Sequence, residues 1–197
     1  MNREELEHVL RAAGEVVKAP HFIVIGSQSV LGSFSEDRLP YEATRSIEVD
    51  IVVAGDPDET KIGLIDRNIG EDSEFHRMNG MYAEGVTLST AVLPEGWRKR
   101  LVRFQPPTLY PVQALCLEPH DCVASKMVAG RSKDYDFANA MLARGLVSPG
   151  TLGKRIDLLP ITGREKDLLH RWLQGQIGRL KRSIKKNKSP GRRQPGA

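Results

Sequence analysis

The sequence predicts an α/β (α+β) fold, with a short mixed sheet flanked by helices and a helical C-terminal half. Short runs at 22–25 and 45–53 have the length of strands, and helical periodicity precedes and follows them. This alternating order is typical of α/β proteins, and from Pro119 onward the pattern is helical. A chain of 197 residues with 40% hydrophobic content can form one domain with a real core, or one domain and a helical appendage.

The first elements follow from hydrophobic spacing. A helix is predicted that stops at Pro20, since apolar residues recur at helical spacing at positions Leu6, Val9, Leu10, Ala13, Val16 and Val17. Phe22 to Ile25 is a continuous apolar run, as in a buried strand, and it ends at Gly26-Ser27. Residues 28–32 are interpreted as the start of a second helix, whose N-terminal amides would face a phosphate at that turn.

The middle of the chain predicts short strands between turns. Turn formers at 33–44 indicate a loop, and Asp56-Pro57 is a good N-cap and N1 pair for a helix through about Ile69. Further strand pieces are predicted at 81–83, 87–92 and 101–104, with Glu84-Gly85 separating the first two.

The C-terminal half predicts four helices, at 119–129, 132–144, 149–158 and 163–183. Ser132 and Ser148 are the expected caps, and Thr162 to Glu165 forms an expected capping box. We divide the chain into an α/β core at 1–110, a helical region at 111–184 and a basic tail at 185–197 that we expect to be disordered.

Composition and charge narrow the class of protein. The chain has no run of eighteen apolar residues and no basic-then-apolar N-terminus, which predicts a cytoplasmic protein with no membrane segment. The formal net charge is +4, and the excess of cations lies at 179–182, 185–188 and 192–193. Such a run is usually a solvated tail, but it also suits RNA or DNA phosphates.

Two cysteines, Cys116 and Cys122, are too few for a disulfide framework. His120 lies between them, so a zinc site is an alternative, although buried thiols are the favoured interpretation.

The most informative pair of residues is Glu48 and Asp50. Residues i and i+2 of a strand point to the same face, so both carboxylates would project together. Hard cations such as Mg²⁺ (or Mn²⁺) take carboxylate oxygens together with substrate phosphates, and the turn at Gly26-Ser27 would let a triphosphate approach the backbone. The pattern predicts phosphoryl chemistry on a nucleotide.

A second group of charges follows on the predicted helices. Lys126 and Arg131 would neutralise a triphosphate, and Lys133, Asp134 and Asp136 follow them closely. The alternative for Lys133 and Asp134 is a solvent-exposed helix start, where the helix dipole favours Asp134 and Asp136.

The order of these motifs resembles the nucleotidyltransferase superfamily with its polymerase-beta-like core. It is similar to the toxin enzymes of the AbiEii and MenT type, and more similar to the group called DUF6036. The resemblance covers roughly residues 20–150 and includes 69–76, 93–97 and 117–121. It implies a nucleotidyltransferase-like sheet in the α/β core.

The resemblance also implies roles for individual residues. Gly26 and Ser27 would contact the nucleotide phosphates, and Glu48 and Asp50 would bind Mg²⁺ and take part in catalysis. Lys126, with Arg131 and Lys133, would hold the triphosphate, and Asp134 or Asp136 would bind there or orient a lysine. A third carboxylate would activate the attacking hydroxyl: Glu84 is the candidate, with Glu71, Asp72 and Glu74 as alternatives.

Two features depart from the superfamily pattern. The interval from Ser27 to Glu48 is longer than usual, and the first acid is Glu where Asp is more common. His76 could contact the substrate and Trp97 could stack on a base. For both residues a structural role is the commoner case.

The implied activity is transfer of a nucleotide from an NTP to a hydroxyl of tRNA, a protein or a small molecule. A toxin-type enzyme would also have an antitoxin partner. The competing hypothesis is a catalytically inactive module that binds nucleotide, nucleic acid or a protein partner.

Overall fold

The computed structural model describes residues 1–56 and 58–187, and it has a mixed α/β architecture. The strands are β1 (His21–Ile25), β2 (Glu48–Val53), β3 (Tyr82–Gly85), β4 (Val102–Phe104) and β5 (Gln113–Cys116). The α-helices are α1 (Arg3–Val17), α2 (Tyr41–Thr44), α3 (Thr60–Ile69), α4 (Glu74–Asn79), α5 (Pro119–Ala129), α6 (Ser132–Ala143), α7 (Pro149–Asp157) and α8 (Gly163–Asn187).

The five strands form one sheet in the order β3-β2-β1-β5-β4. β1 pairs antiparallel with β2 and parallel with β5, while β2 pairs parallel with β3 and β4 pairs antiparallel with β5. This confirms the predicted mixed sheet with helices and a helical C-terminal part.

The alternation of β2 separates the core from the site. Val49, Ile51 and Val53 are buried, while Glu48 and Asp50, on the opposite face, keep partial solvent access. α1 and α3 pack against each other, and α3 packs against β3. The helical period predicted for α1 is confirmed, because its buried residues are Leu6, Val9, Leu10, Ala13 and Val17.

The region between the Gly-Ser turn and β2 is more structured than predicted. Residues Ser27–Gly32 form the predicted helix, but it is a 3₁₀ helix of only six residues. The predicted loop at 33–44 contains another 3₁₀ turn, Glu36–Arg38, and α2. The long interval before Glu48 is therefore occupied by short helical turns.

Asp56, the predicted N-cap of α3, lies four residues before the helix but still bonds to its first turn. The helix begins at Thr60, yet the Asp56 carboxylate accepts from the Lys61 and Ile62 amides at 3.0 and 3.2 Å. Asp56 therefore satisfies donors at the start of α3 without being its N-cap, while Pro57 lies outside the described residues.

Three strand predictions need correction. Glu84 and Gly85 do not separate strands, because they belong to β3, and residues 87–92 form no strand but contain the 3₁₀ turn Leu88–Thr90. β5 was not predicted, since it has only four residues and takes its strand geometry from pairing with β1 and β4.

The C-terminal helices follow the prediction closely. Ser148 caps α7 by accepting from Thr151 N, and the capping box of Thr162 and Glu165 is present. Arg131, not Ser132, is the N-cap of α6, because the buried Asp134 carboxylate satisfies the backbone N–H of Arg131. α8 continues to Asn187.

The described helices pack in sequence, α5 against α6 and α7, and α7 against α8. None of them is both long and apolar enough to cross a lipid bilayer. The division of the chain at residue 110 stays a prediction. β5 lies on the C-terminal side of that residue and yet belongs to the sheet. Of the predicted tail, residues 188–197 lie outside the described part of the chain.

Candidate active site

Three carboxylates converge where β2 and β3 run side by side. The parallel register places Asp50 opposite Glu84, and Glu48 opposite Tyr82. Residues in register on neighbouring strands project to the same face, so Glu84 joins the pair on β2. One carboxylate oxygen from each of Glu48, Asp50 and Glu84 lies within 4.8 Å of the other two.

The proximity of these acids changes their ionisation. Burial, followed by repulsion from Glu48, raises the pKa of Asp50 to about 7. A hydrogen bond with Glu48, followed by burial, raises the pKa of Glu84 to about 7. Burial also opposes ionisation of Glu48, but hydrogen bonds from Glu84, Asp50 and Tyr82 outweigh it and lower the pKa of Glu48. Near neutral pH Asp50 and Glu84 therefore retain protons in part, and a cation would displace them.

Tyr82 supports the first of these acids. Its hydroxyl donates to Glu48 Oε2 at 3.2 Å, and burial together with the nearby Glu48 charge raises the pKa of Tyr82 to about 12. The phenol is therefore a neutral donor at physiological pH. His76 packs on the Tyr82 ring with 4.8 Å between centroids and accepts from Asp72 N, which gives it a structural position behind the site.

The Gly26 turn lies directly against Asp50. Gly26 has φ +69°, and a Cβ on it would be 1.8 Å from Asp50 Oδ2. Its carbonyl accepts from Ser29 Oγ at 2.7 Å and from Cys122 Sγ at 3.1 Å. These contacts hold the turn beneath the carboxylate, where only glycine fits.

The opposite wall of the site is basic and is organised by a buried acid. Asp134 is fully buried and accepts from Arg131 Nε at 2.7 Å and from Lys126 Nζ at 3.4 Å. Lys126 Nζ also lies 5.2 Å from the centre of the Phe137 ring. Burial would raise the pKa of Asp134, but the hydrogen bonds from Arg131 and the charges of Arg131 and Lys126 lower it. Asp134 therefore holds two cations in fixed positions.

A cleft of about 530 Å³ separates the acidic and basic walls. It is lined by Ser27, Ser46, Glu48, Asp50, Glu84, Val86, Thr90, Lys126, Ala129, Arg131 and Lys133. A cavity of about 300 Å³ adjoins it at Asp50, Thr90, Lys126 and Arg131, and this cavity is partly walled by the apolar Ile25 and Val92. Together they form a space with acids on one side, cations on the other and an apolar end.

Most of the predicted site residues meet in this space. Ser27, Glu48, Asp50, Glu84, Lys126, Arg131 and Lys133 line the cleft, and Gly26 lines the adjoining cavity. Asp134 lies behind the basic wall, and Asp136 is exposed. Within residues 1–56 and 58–187, Glu71, Asp72 and Glu74 do not join the carboxylate cluster. The chemical role of each residue stays a prediction.

Three polar residues at the site, Ser46, Tyr82 and Thr90, were not predicted. Tyr82 is two residues from Glu84 on β3, so strand alternation would have placed it on the same face. Ser46 and Thr90 lie in segments outside the strands, and no local pattern marks them.

The alternative zinc site does not form in the described part of the chain. Cys116, His120 and Cys122 do not bring three ligand atoms together, and both cysteines are buried free thiols. Both ring nitrogens of His120 already have partners: Nδ1 lies 2.6 Å from Glu118, and Nε2 accepts from Ser148 N at 2.9 Å.

The helix that carries Lys126 is anchored by a second buried acid. Asp121 on α5 accepts from Arg100 at 2.8 and 3.1 Å, and Arg155 Nε lies 2.9 Å from the same carboxylate. Trp97, near Arg100, is only 8% exposed and has Arg98 stacked 4.6 Å from its ring centre. It anchors this loop and is not available to stack on a base.

The donor set fits a hard divalent cation. Three carboxylates supply oxygen ligands, and their mutual repulsion is relieved by positive charge between them. Asp134 fixes the positions of Lys126 and Arg131 on the opposite wall. Arg131 and Lys133 are exposed there and can contact an anionic ligand.

Comparison with known proteins yielded a family but no individual relative. Neither the curated proteins nor the solved structures gave a match. A family model described as a nucleotidyltransferase of unknown function (DUF6036) matches residues 4–163. This match spans most of the chain and includes every residue of the cleft. The chain belongs to the DUF6036 nucleotidyltransferase family.

Proposed function

We propose that this protein is a Mg²⁺-dependent nucleotidyltransferase that moves a nucleotide from an NTP to a hydroxyl acceptor. The single observation that carries the proposal is the convergence of Glu48, Asp50 and Glu84 within 4.8 Å, across a cleft from Lys126 and Arg131. A triphosphate with its metal needs negative ligands for the cation and positive side chains for the phosphates, on opposite sides of one space.

In this proposal the metal ligands are Glu48 and Asp50, with Glu84 at the edge of the same cluster. Mg²⁺ or Mn²⁺ bound there would polarise the phosphoryl group and neutralise developing charge. Tyr82 fixes the Glu48 carboxylate through its hydrogen bond of 3.2 Å. Because Gly26 leaves no side chain beside Asp50, that carboxylate stays free to face the cleft.

The triphosphate would lie along the basic wall. Lys126 supplies a compact charge and Arg131 a planar fork, while Lys133 is exposed at the cleft mouth. Gly26 and Ser27 would bring backbone and hydroxyl donors to the phosphates. Asp134 is fully buried behind these two cations, so its proposed role is to position Lys126 and Arg131.

Glu84 is the proposed general base. It is the most exposed of the three acids and lies beside Asp50 in the strand register, so it can meet an acceptor hydroxyl that enters the cleft. The acceptor oxygen would form a bond to the α-phosphorus as the bond to pyrophosphate breaks, and the hydroxyl proton would pass to Glu84.

The acceptor and the biological role belong to the same proposal. A tRNA acceptor and a toxin-type activity, with an antitoxin as protein partner, are supported by the motif resemblance and by the cations near the C-terminus. The competing hypothesis is an inactive binding module, which would not need a third carboxylate. The position of Glu84 beside Asp50 supports the enzyme hypothesis over the module.

Labelled NTPs, Mg²⁺ and total tRNA test the proposal. We expect the wild type to transfer label and to release pyrophosphate, and Asp50→Asn to do neither. Asp136→Asn, an exposed acid of α6 outside the cleft, is the control and should transfer like the wild type. No transfer by the wild type, or equal transfer by Asp50→Asn, would contradict the enzyme hypothesis.

Calorimetry of ATP binding distinguishes the enzyme hypothesis from the inactive-module hypothesis. An enzyme should bind ATP much more tightly with Mg²⁺ than without it, and Asp50→Asn should abolish that difference. An affinity for ATP that changes neither with Mg²⁺ nor with the Asp50→Asn substitution would support the inactive module.

A further inference from the structure

The charge of this chain is strongly divided. After Asp167 the sequence has nine Lys or Arg and no Asp or Glu, which leaves 20 of the 29 basic residues against all 25 acidic ones in the first 167 positions. The first 167 residues thus have a net charge of −5, while the charged Lys, Arg, Asp and Glu residues from position 168 onward are all basic. An acidic body repels nucleic acid, so any attraction is concentrated at this end.

The side chains of α8 sort into two faces. Leu169 and Leu173 are buried, and Trp172, Ile177 and Leu180 pack partly against the core. The opposite face carries Arg171, Arg179 and Arg182, all exposed, and none of them has an acidic partner within residues 1–56 and 58–187. These three arginines, with Gly175 and Gly178 between them, are called the arginine face.

The two glycines of the arginine face have no packing explanation. Gly175 and Gly178 lie inside a long helix, where glycine is less favourable than alanine. A Cβ on Gly175 would meet nothing within 4 Å, and one on Gly178 would meet only the flexible end of Arg182, at 3.5 Å. Their effect is to remove side chains between the arginines, so that a ligand can approach the helix backbone.

The arginine face belongs to a helix that packs beside the cleft. Tyr135 of α6 stacks against Trp172 of α8, with 5.1 Å between the ring centroids. Tyr135 is two residues after Lys133, which lines the cleft mouth. Because the arginine face is on the opposite side of α8 from the buried Leu169 and Leu173, a polyanion bound there would have to extend past α8 to reach the cleft, which requires a long ligand such as an RNA.

We propose that the arginine face docks the phosphate backbone of an RNA acceptor. Guanidinium groups match phosphate oxygens in a bidentate geometry, and glycines between them allow close approach. RNA also presents the ribose hydroxyl that the transfer needs. This inference rests on the proposed function, because it assigns the acceptor of that reaction.

Binding is measured by fluorescence anisotropy with a fluorescein-labelled tRNA transcript, without NTP and over a series of salt concentrations. R179Q/R182Q should weaken binding about tenfold or more near physiological salt, and should reduce the slope of log K against log salt by about 1.5 to 2. R11Q/R67Q removes two exposed arginines from α1 and α3 and is the matched control, which should bind nearly as the wild type does.

Gly175→Leu gives an independent readout. It should raise the melting temperature, since leucine is the better helix former, and yet weaken tRNA binding by blocking the arginine face. A purely structural role for Gly175 predicts no loss of binding. Unchanged binding in R179Q/R182Q, or an equal loss in R11Q/R67Q, would overturn the proposal.

Two further ligands test the choice of RNA. Equal binding of a DNA duplex with the same dependence on Arg179 and Arg182 would overturn the RNA assignment. Binding of poly-glutamate but not of tRNA would do the same and would assign the face to an acidic protein.

Failure of this proposal can be told apart from failure of the proposed function. Asp50→Asn should lose transfer while it keeps tRNA binding. If the wild type transfers no label but R179Q/R182Q still loses tRNA binding, the docking surface stands and the enzyme hypothesis fails. If label is transferred equally by the wild type and R179Q/R182Q at limiting tRNA, the docking surface fails and the enzyme hypothesis stands.

Discussion

Gly26 and Asp50 are in such close contact that a single added methyl group would overlap the carboxylate. The Cβ of an alanine at position 26 would lie 1.8 Å from Asp50 Oδ2 and 2.9 Å from its Cγ. The antiparallel register of β1 and β2 places Ile25 opposite Asp50, so the turn that follows β1 is held beside this acid. The absence of a side chain at Gly26 is therefore part of the site.

Gly26→Ala should abolish metal-dependent transfer, because the Asp50 carboxylate would have to move. A displacement of about 1 Å costs on the order of 100-fold in rate. Gly80→Ala is the matched control, since Gly80 has the same φ of +69° but open space around its Cβ. Both variants should lose roughly 1–2 kcal/mol of unfolding free energy from backbone strain.

Thermal unfolding and label transfer check this prediction. Gly26→Ala should lose more stability than Gly80→Ala, and only Gly26→Ala should lose transfer. Equal activity of the two variants would show that the Gly26–Asp50 contact has no part in the site.

Asp134→Asn should weaken binding of ATP about tenfold, because Lys126 and Arg131 would lose the charge that positions them. Asp136→Asn, two residues along the same helix and exposed, is the control and should bind ATP normally. Calorimetry in the presence of Mg²⁺ provides the measurement, and unchanged affinity in Asp134→Asn would contradict the positioning role.

Tyr82→Phe should reduce kcat several-fold and leave the fold intact, since it removes the hydrogen bond to Glu48 without changing the ring that packs on His76. The pKa of Glu48 should rise, because the hydrogen bond from the phenol stabilises its charged form, so binding of Mg²⁺ should weaken more steeply with falling pH than in the wild type. Tyr41→Phe, an exposed tyrosine, is the control. An unchanged pH dependence of Mg²⁺ binding in Tyr82→Phe would argue against the role of the phenol.

Binding of Mg²⁺ should become tighter as the pH rises from about 6 to about 8. The pKa values of Asp50 and Glu84, both near 7, mean that a cation must displace protons below this range. Calorimetry in buffers of different ionisation enthalpy should show proton release at pH 6.5 that declines toward pH 8.5. Release that does not change with pH would contradict the shared protonation of the carboxylates.

The same pKa values set the stability of the metal-free protein. Burial and the nearby Glu48 charge raise the folded-state pKa of Asp50 to about 7 from its ordinary value of 3.8, so the stability that Asp50 contributes is fully present below about pH 3.8 and is lost as the pH rises through 7. Asp50→Asn should therefore stabilise the metal-free protein at pH 8, by on the order of 2 kcal/mol, and this gain should shrink steadily as the pH falls toward about 4. Denaturant unfolding with EDTA over this pH range measures the gain.

The alternation of β2 was readable from the sequence, but the third carboxylate was not located by local pattern. The sequence offers Glu84 as the candidate beside three alternatives, and Gly85 next to it predicts a break between strands, whereas the pairing of β3 with β2 keeps both residues in a strand. β5 was missed for the same reason, since a four-residue strand depends on its neighbours more than on its own composition. The pairing register between two strands that are far apart in the sequence cannot be predicted from any one short stretch of residues.

The sequence by itself determined that Glu48 and Asp50 share a face, because the two-residue period of a strand is a local property of the backbone. It also determined the family, through motifs that match along most of the chain. Only the tertiary structure decided that Glu84 joins those acids and that Asp134 lies buried behind Lys126 and Arg131. These relationships depend on strand register and helix packing, which are set by contacts between segments far apart in the chain.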